Sequence, residues 1–241
     1  MSTQSKTGVF GKLPAHGDFV HRNLPSSFMN QWDEWLQHFI AGGQEQLGED
    51  WLNIYLTSPI WRFVFSAGII DEHVWAGMML PSVDKVGRYF PFSVATMLPE
   101  HTNPLIFLNS QGPWFESIEA SSLLALDDQI DVDDLTDKIN EDNILIESDY
   151  YATGSVNENN AIQINMKGDE TTPNDIFPEL LDAVLIKSLN SYSTWTTTGS
   201  ELIEPCLFNV QGLPSINNIP AMLDGQWQYW GIQQPYALKA I

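Results

Sequence analysis

Two short segments of the 241-residue chain gather the side chains that could do chemistry. The first runs Gly8-Val-Phe-Gly-Lys-Leu-Pro-Ala-His-Gly-Asp-Phe-Val-His-Arg22, and the second Leu80-Pro-Ser-Val-Asp-Lys-Val-Gly-Arg-Tyr-Phe-Pro91. In the first, His16 beside Asp18 offers a general base with an orienting carboxylate, and His21 adds a metal ligand. In the second, Ser82 and Asp84 offer a nucleophile and its helper, which together with His16 and Asp18 makes a hydrolase-like reading. Three absences weigh against it. No His-x-x-x-His spacing occurs, no cysteine or second carboxylate cluster completes a metal site, and the Gly-x-Ser-x-Gly elbow is missing.

The competing reading is structural. Gly17 permits a turn, while His16 and Asp18 hydrogen-bond the local backbone. Asp84 pairs with Arg88, and Asp18 or Arg22 could join them to pin the two loops together. This reading is preferred, so no catalytic residue, metal or cofactor is expected. Lys12, His16, Asp18, Arg22, Ser82, Asp84 and Arg88 are then candidates for shaping or lining a contact surface. The acidic run from Asp127 to Asp137 lacks the glycine and the final glutamate of a calcium loop and reads as a solvated helix flank. Neither a phosphate-binding loop nor a dinucleotide fingerprint is present.

Several elements must position these segments. Phe28, Trp32, Trp35, Leu36 and Phe39 fall on one face of a helix that starts after Pro25, with Ser26 or Ser27 as cap and Gly42-Gly43 as stop. A short helix over 49–56 follows. Three apolar runs, 60–67, 74–80 and 92–98, read as strands covered on both faces and joined as an antiparallel meander. Pro113 opens a helix to about Ala125, and another covers 132–139. Residues 161–166 alternate like a strand. Thr172 caps a helix begun by Pro173, with Phe177, Leu180, Leu181, Val184 and Leu185 as its expected buried face. Strands over 192–198 and 205–210 and a short helix over 217–223 complete the chain.

Composition narrows the partners. The net charge is −21, from 31 acidic and 10 basic residues, which repels nucleic acid and anionic lipid and calls for a basic surface on any partner. Residues 101–182 hold eighteen acids against two bases, Lys138 and Lys167. The single cysteine, Cys206, sits in an apolar run and reads as a buried, inert thiol. The start of the chain is polar and no run is long enough to span a bilayer, so a cytoplasmic location is expected. One domain over 1–241 is expected, with a compact core over 1–100 and an acidic half over 101–241 packed on it.

The ordered motifs resemble the TagF family, also called ImpM, of type VI secretion-associated proteins. They are Gly8-Val9-Phe10-Gly11-Lys12-Leu13-Pro14, His16-Gly17-Asp18-Phe19, Gln31-Trp32-Asp33, Ser58-Pro59-Ile60-Trp61-Arg62-Phe63, Pro81-Ser82-Val83-Asp84 and Val86-Gly87-Arg88-Tyr89-Phe90-Pro91. Beyond residue 100 the likeness thins to Ser193-x-Trp195, Gly199-Ser200 and Gly212-Leu213-Pro214. The resemblance implies an α/β (α+β) fold, longin-like or profilin-like, with a mixed, largely antiparallel central sheet flanked by helices. It also implies a post-translational repressor that binds the forkhead-associated scaffold protein of the secretion machine, with recruitment to that membrane-associated apparatus. A hydrolase and a baseplate or assembly component are the competing classes.

Overall fold

Among the described residues, seven antiparallel strands form one sheet, and helices cover both of its faces. The computed structural model describes residues 6–99, 101–127, 130–141, 162–164 and 172–233. The strands are β1 (Gly8–Gly11), β2 (Val20–Arg22), β3 (Trp61–Phe65), β4 (Trp75–Leu80), β5 (Phe92–Met97), β6 (Tyr192–Thr197) and β7 (Cys206–Gln211). Their spatial order is β2-β1-β5-β4-β3-β6-β7, with β3, β4 and β5 forming the expected meander. The expected strand over 161–166 lies largely outside the described residues.

One face of the sheet carries α1 (Ser26–Leu47), α2 (Trp51–Leu56) and α7 (Ala221–Asp224). The five apolar side chains expected on α1 are all buried, against Phe63, Phe65, Trp75 and Trp195. Buried indoles need a partner; Trp32 donates to Ser93 Oγ (3.0 Å) and Trp35 to the Pro214 carbonyl (2.8 Å). The helix does not stop at Gly42-Gly43. Both glycines are buried inside it, and a Cβ on Gly43 would lie 3.0 Å from Leu223 Cδ1 and from Trp51 Nε1. They are there for close packing. Neither Ser26 nor Ser27 caps the helix; Pro25 stands at the cap position and Ser27 reaches Asp71 instead.

The opposite face carries α3 (Pro104–Ser110), α4 (Gly112–Leu126), α5 (Val132–Glu141) and α6 (Pro173–Leu189). Sequence reasoning assigned no helix to 104–110, although Asn103 and Pro104 are its start signal. Asn103 Oδ1 accepts from the Leu105 and Ile106 amides (2.9 and 3.1 Å). On α5 the buried side is Val132, Leu135, Thr136 and Ile139, which turns its acids outward.

The α6 expectation is half right. Thr172 caps it, its amide and hydroxyl both donating to Asp175 (2.8 and 2.7 Å). Its supposed core face points outward: Phe177, Leu180, Leu181 and Val184 are exposed, and Leu185 is only half-buried. Glu179 is the residue it buries, with Oε2 accepting from Asn103 Nδ2 (3.0 Å), while Asp182 accepts from the Tyr192 hydroxyl (2.6 Å). The helix is apolar almost all round, so periodicity could not choose a side.

Burial pushes the Glu179 carboxyl up, against the Asn103 hydrogen bond, and the nearby Asp182 raises it further. A carboxyl raised in the folded state favours folding below its unfolded value of about 4.3, and stability falls as pH rises through the folded value. Glu179→Gln keeps the shape and removes the charge. It is expected to raise the melting temperature at neutral pH, with the advantage vanishing in acid; an unchanged melt at both would refute it.

Candidate functional site

The chain between β1 and β2 (residues 12–19) and the chain between β4 and β5 (residues 81–91) meet at the same end of the sheet. Pairing of β1 with β5 sets them side by side, with Gly11 opposite Phe92. The 8–22 segment is therefore a hairpin with a long loop, not loop throughout; β1 and β2 have only four and three residues, too short to read as strands.

Asp84 is the knot between the loops. Its carboxylate is buried and accepts from the Val86 amide (3.0 Å), the Arg88 amide (2.9 Å) and Arg88 Nε (2.6 Å). Lys12 Nζ, itself buried, completes the set at 3.0 Å. Burial alone would raise this carboxyl, but the bonds from Arg88, Lys12 and Val86 outweigh it and hold it well below the usual carboxylate range. The expected Asp84–Arg88 pair is present. Its third member is Lys12 rather than Asp18 or Arg22, because Lys12 follows β1 directly and its stem is carried to Asp84 by the β1–β5 pairing.

Further contacts lace the loops together. Arg88 Nη2 donates to the Gly17 carbonyl (2.6 Å), and the Lys85 amide to the His16 carbonyl (2.9 Å). Ser82 is buried, and its hydroxyl donates to the Lys12 carbonyl (2.6 Å). The Tyr55 hydroxyl donates to the Ser82 carbonyl (3.0 Å) and accepts from its amide (2.9 Å). Burial pushes the Tyr55 phenol up, only partly offset by its bond to Ser82, which keeps the proton that this double role needs. Lys12 Nζ also lies 5.0 Å from the Phe19 ring centre, and Phe19 packs on Phe10 and Phe90 at 6.0 and 4.9 Å.

The remaining candidates go elsewhere. Asp18 is exposed, and its Oδ1 accepts from the next amide, Phe19 (2.9 Å). His16 turns toward Asp131 on the approach to α5 (3.5 Å). Arg22 forks onto Asp133 of α5, Nε to Oδ1 at 2.5 Å and Nη2 to Oδ2 at 3.3 Å. Gly17 has no positive φ; positive φ falls instead at Gly11 (134°), which ends β1, and at Gly87 (86°), in the other loop. His16 and Asp18 do not pair as base and orienter, and Ser82 faces a carbonyl.

Sequence reasoning missed Tyr55, Phe19, Asp131 and Asp133 as parts of this assembly. It also missed Arg62, which forks onto Glu119 of α4 (2.5 and 2.9 Å) over the Phe115 ring and fastens helix to sheet. Among the described residues, a possible cation cluster of Asp71, Glu72 and His73 lies in the β3–β4 turn and contains none of the seven candidates. There Asp71 Oδ1 already accepts from the His73 amide and Trp75 Nε1 (2.9 and 3.0 Å). Cys206 is half-buried on β7, and burial pushes its thiol up, away from the reactive thiolate. No described helix is long and apolar enough to cross a membrane.

Comparison with known proteins fits this arrangement. The chain is similar to the crystal structure of PA0076 from Pseudomonas aeruginosa PAO1, with 30% identity and a TM-score of 0.78 over 98% of this chain and 100% of that one. No curated protein gives a significant match. The family model of the TagF N-terminal domain, described as type VI secretion system-associated, matches residues 8–141, which include both loops, Tyr55 and α5. More than half of the chain is thus matched, and the protein belongs to the TagF N-terminal domain family, associated with type VI secretion.

Proposed function

We propose that the protein is a negative regulator of type VI secretion that acts by binding another protein and has no catalytic step. The observation that carries this reading is the rigid pair of loops and what it displays. Asp84, Lys12 and Arg88 saturate one another at the base and Tyr55 grips the Ser82 backbone, while Phe19 and Val86 stand 43% and 68% exposed. Apolar side chains held in fixed positions at a polar rim suit recognition, since little ordering entropy remains to be lost on binding. A nucleophilic Ser82 would first have to give up the Lys12 carbonyl.

The forkhead-associated scaffold protein of the secretion machine is the partner in this reading, and the chain works in the cytoplasm at the membrane-associated apparatus. Its charge of −21 favours a basic patch on that scaffold, so binding should weaken as salt rises. The test pairs a gene deletion with complementation by Val86→Asp, whose side chain is 68% exposed. Secretion of the needle-tube protein should rise on deletion and stay high with the variant, and the scaffold should co-purify with wild type only. Lost secretion on deletion would mark an assembly component instead, and no association at low salt would remove the scaffold as partner.

A further inference from the structure

Among the described residues, two surfaces at the far end of the sheet have no partner. β7 is the outermost strand, and among the described residues its backbone hydrogen-bonds only to β6. Its sequence, Cys-Leu-Phe-Asn-Val-Gln, has no charge and no proline, the usual guards against strand addition. Antiparallel partners share a face, so Leu207, opposite Thr196, lies on the side of the sheet that α6 covers. There Tyr192 meets Asp182, Gln211 Nε2 donates to the Leu189 carbonyl, and Leu207 is left 63% exposed. On α6, Phe177, Leu180, Leu181 and Val184 make an exposed stripe at helical spacing. It lies opposite Glu179, which faces Asn103 at the start of α3, so the stripe turns away from α3.

Charge decides what can cover this corner. Two copies of a chain at −21 repel over most of their surface, yet residues 205–223 contain no Asp, Glu, Lys, Arg or His. A basic partner would be drawn to the acids elsewhere. A second copy meets little repulsion along β7, and on α6 Glu179 and Asp182 are taken up by Asn103 and Tyr192, so an identical surface can face it across a two-fold axis.

We propose that the protein forms a two-fold homodimer in which β7 pairs antiparallel with β7 of a second copy. An axis perpendicular to the sheet makes one continuous sheet and leaves both α6 helices on the same face, where their apolar stripes cover one another across the junction. Leu207 of each copy sits beneath them. This arrangement uses neither loop of the proposed recognition surface, so both remain open at the two ends of the extended sheet.

The test is sedimentation of the full chain from about 1 to 100 µM, a range that brackets micromolar affinity. Wild type should reach the mass of two chains. Leu207→Glu and Leu181→Glu, both at exposed positions, should each weaken association by about 100-fold or more while leaving the circular dichroism spectrum unchanged. Hydrogen exchange at 206–211 should slow as concentration rises. A monomer at every concentration overturns the proposal, as does a dimer that ignores both variants or leaves β7 exchanging freely. So does a β7 that becomes protected only when another secretion component is added, because the edge then belongs to a different protein.

Discussion

Asp84→Ala should destabilise the protein by about 3–5 kcal/mol, the scale for removing one partner of a buried ion pair. The substitution strands a buried ammonium, Lys12, and strips the Val86 and Arg88 amides of their common acceptor. For a chain of this length that is a fall in melting temperature of roughly 10 °C. Smaller losses are expected from Lys12→Ala, which leaves Asp84 its two amides and Arg88. Arg88→Ala should cost least, because that side chain is 55% exposed and Lys12 still faces the carboxylate. The pH dependence has a definite sign. A carboxyl depressed in the folded state stabilises it above the unfolded value of about 3.9, and loses that contribution as pH falls through the lower folded value. The gap between wild type and Asp84→Ala is therefore full at neutral pH and narrows in acid. Thermal melts at both conditions decide it, and a neutral-pH gap below about 1 kcal/mol, the size of an exposed pair, would mean the knot does not hold the loops.

What could be read from the sequence divides by distance along the chain. The α1 stripe was legible because every buried member lies within one run of helical spacing. The β3–β4–β5 meander was legible because its strands are apolar on both faces and follow one another directly. The Asp84–Arg88 pair was legible for the same reason, being four residues apart. Lys12 was not, since only the β1–β5 pairing brings it to Asp84. The Arg22–Asp133 fork spans 111 residues, and nothing local to either residue announces it. The acids around α5 read correctly as a solvated flank, yet Asp133 also holds the hairpin through Arg22, and Asp131, just before the helix, faces His16.

The errors have one physical origin: a residue type that serves two purposes. Glycine ends helices and also lets them approach, and in α1 Gly42 and Gly43 do the second. An apolar helix face is buried by its own chain or by another molecule, and periodicity is the same in both cases. The α6 stripe was assigned to the core on that basis, whereas the helix is anchored by Glu179 and Asp182 and presents the stripe outward. The histidine, serine and carboxylates of the two loops carry the same ambiguity, although there the structural reading was the preferred one. They have the types of a hydrolase and the hydrogen bonds of a brace.

Gly11, which ends β1, and Gly17, in the loop that follows, should respond in opposite ways to the same substitution. Gly11 ends β1 with φ 134°, a region that L side chains rarely adopt, and a Cβ there would stand 2.1 Å from the Pro91 carbonyl oxygen and 2.8 Å from Phe92 Cα. Both obstacles are backbone, so no rotamer relieves them; β1 and β5 must separate. Their separation carries Lys12 away from Asp84 and opens the base of both loops. The backbone conformation alone costs on the order of 1–3 kcal/mol, and loss of the ion pair adds to it. Gly11→Ala should therefore be the more damaging of the two methyls, giving a strongly destabilised protein that no longer binds the proposed partner. Gly17→Ala meets nothing within 4 Å and needs no positive φ. It should stay within about 0.5 kcal/mol of wild type, or gain slightly from a stiffer unfolded chain. Parallel melts and binding assays of the two variants separate a braced loop pair from a flexible one: in a flexible pair both alanines would be tolerated alike, because the strands could part without disturbing anything built on them.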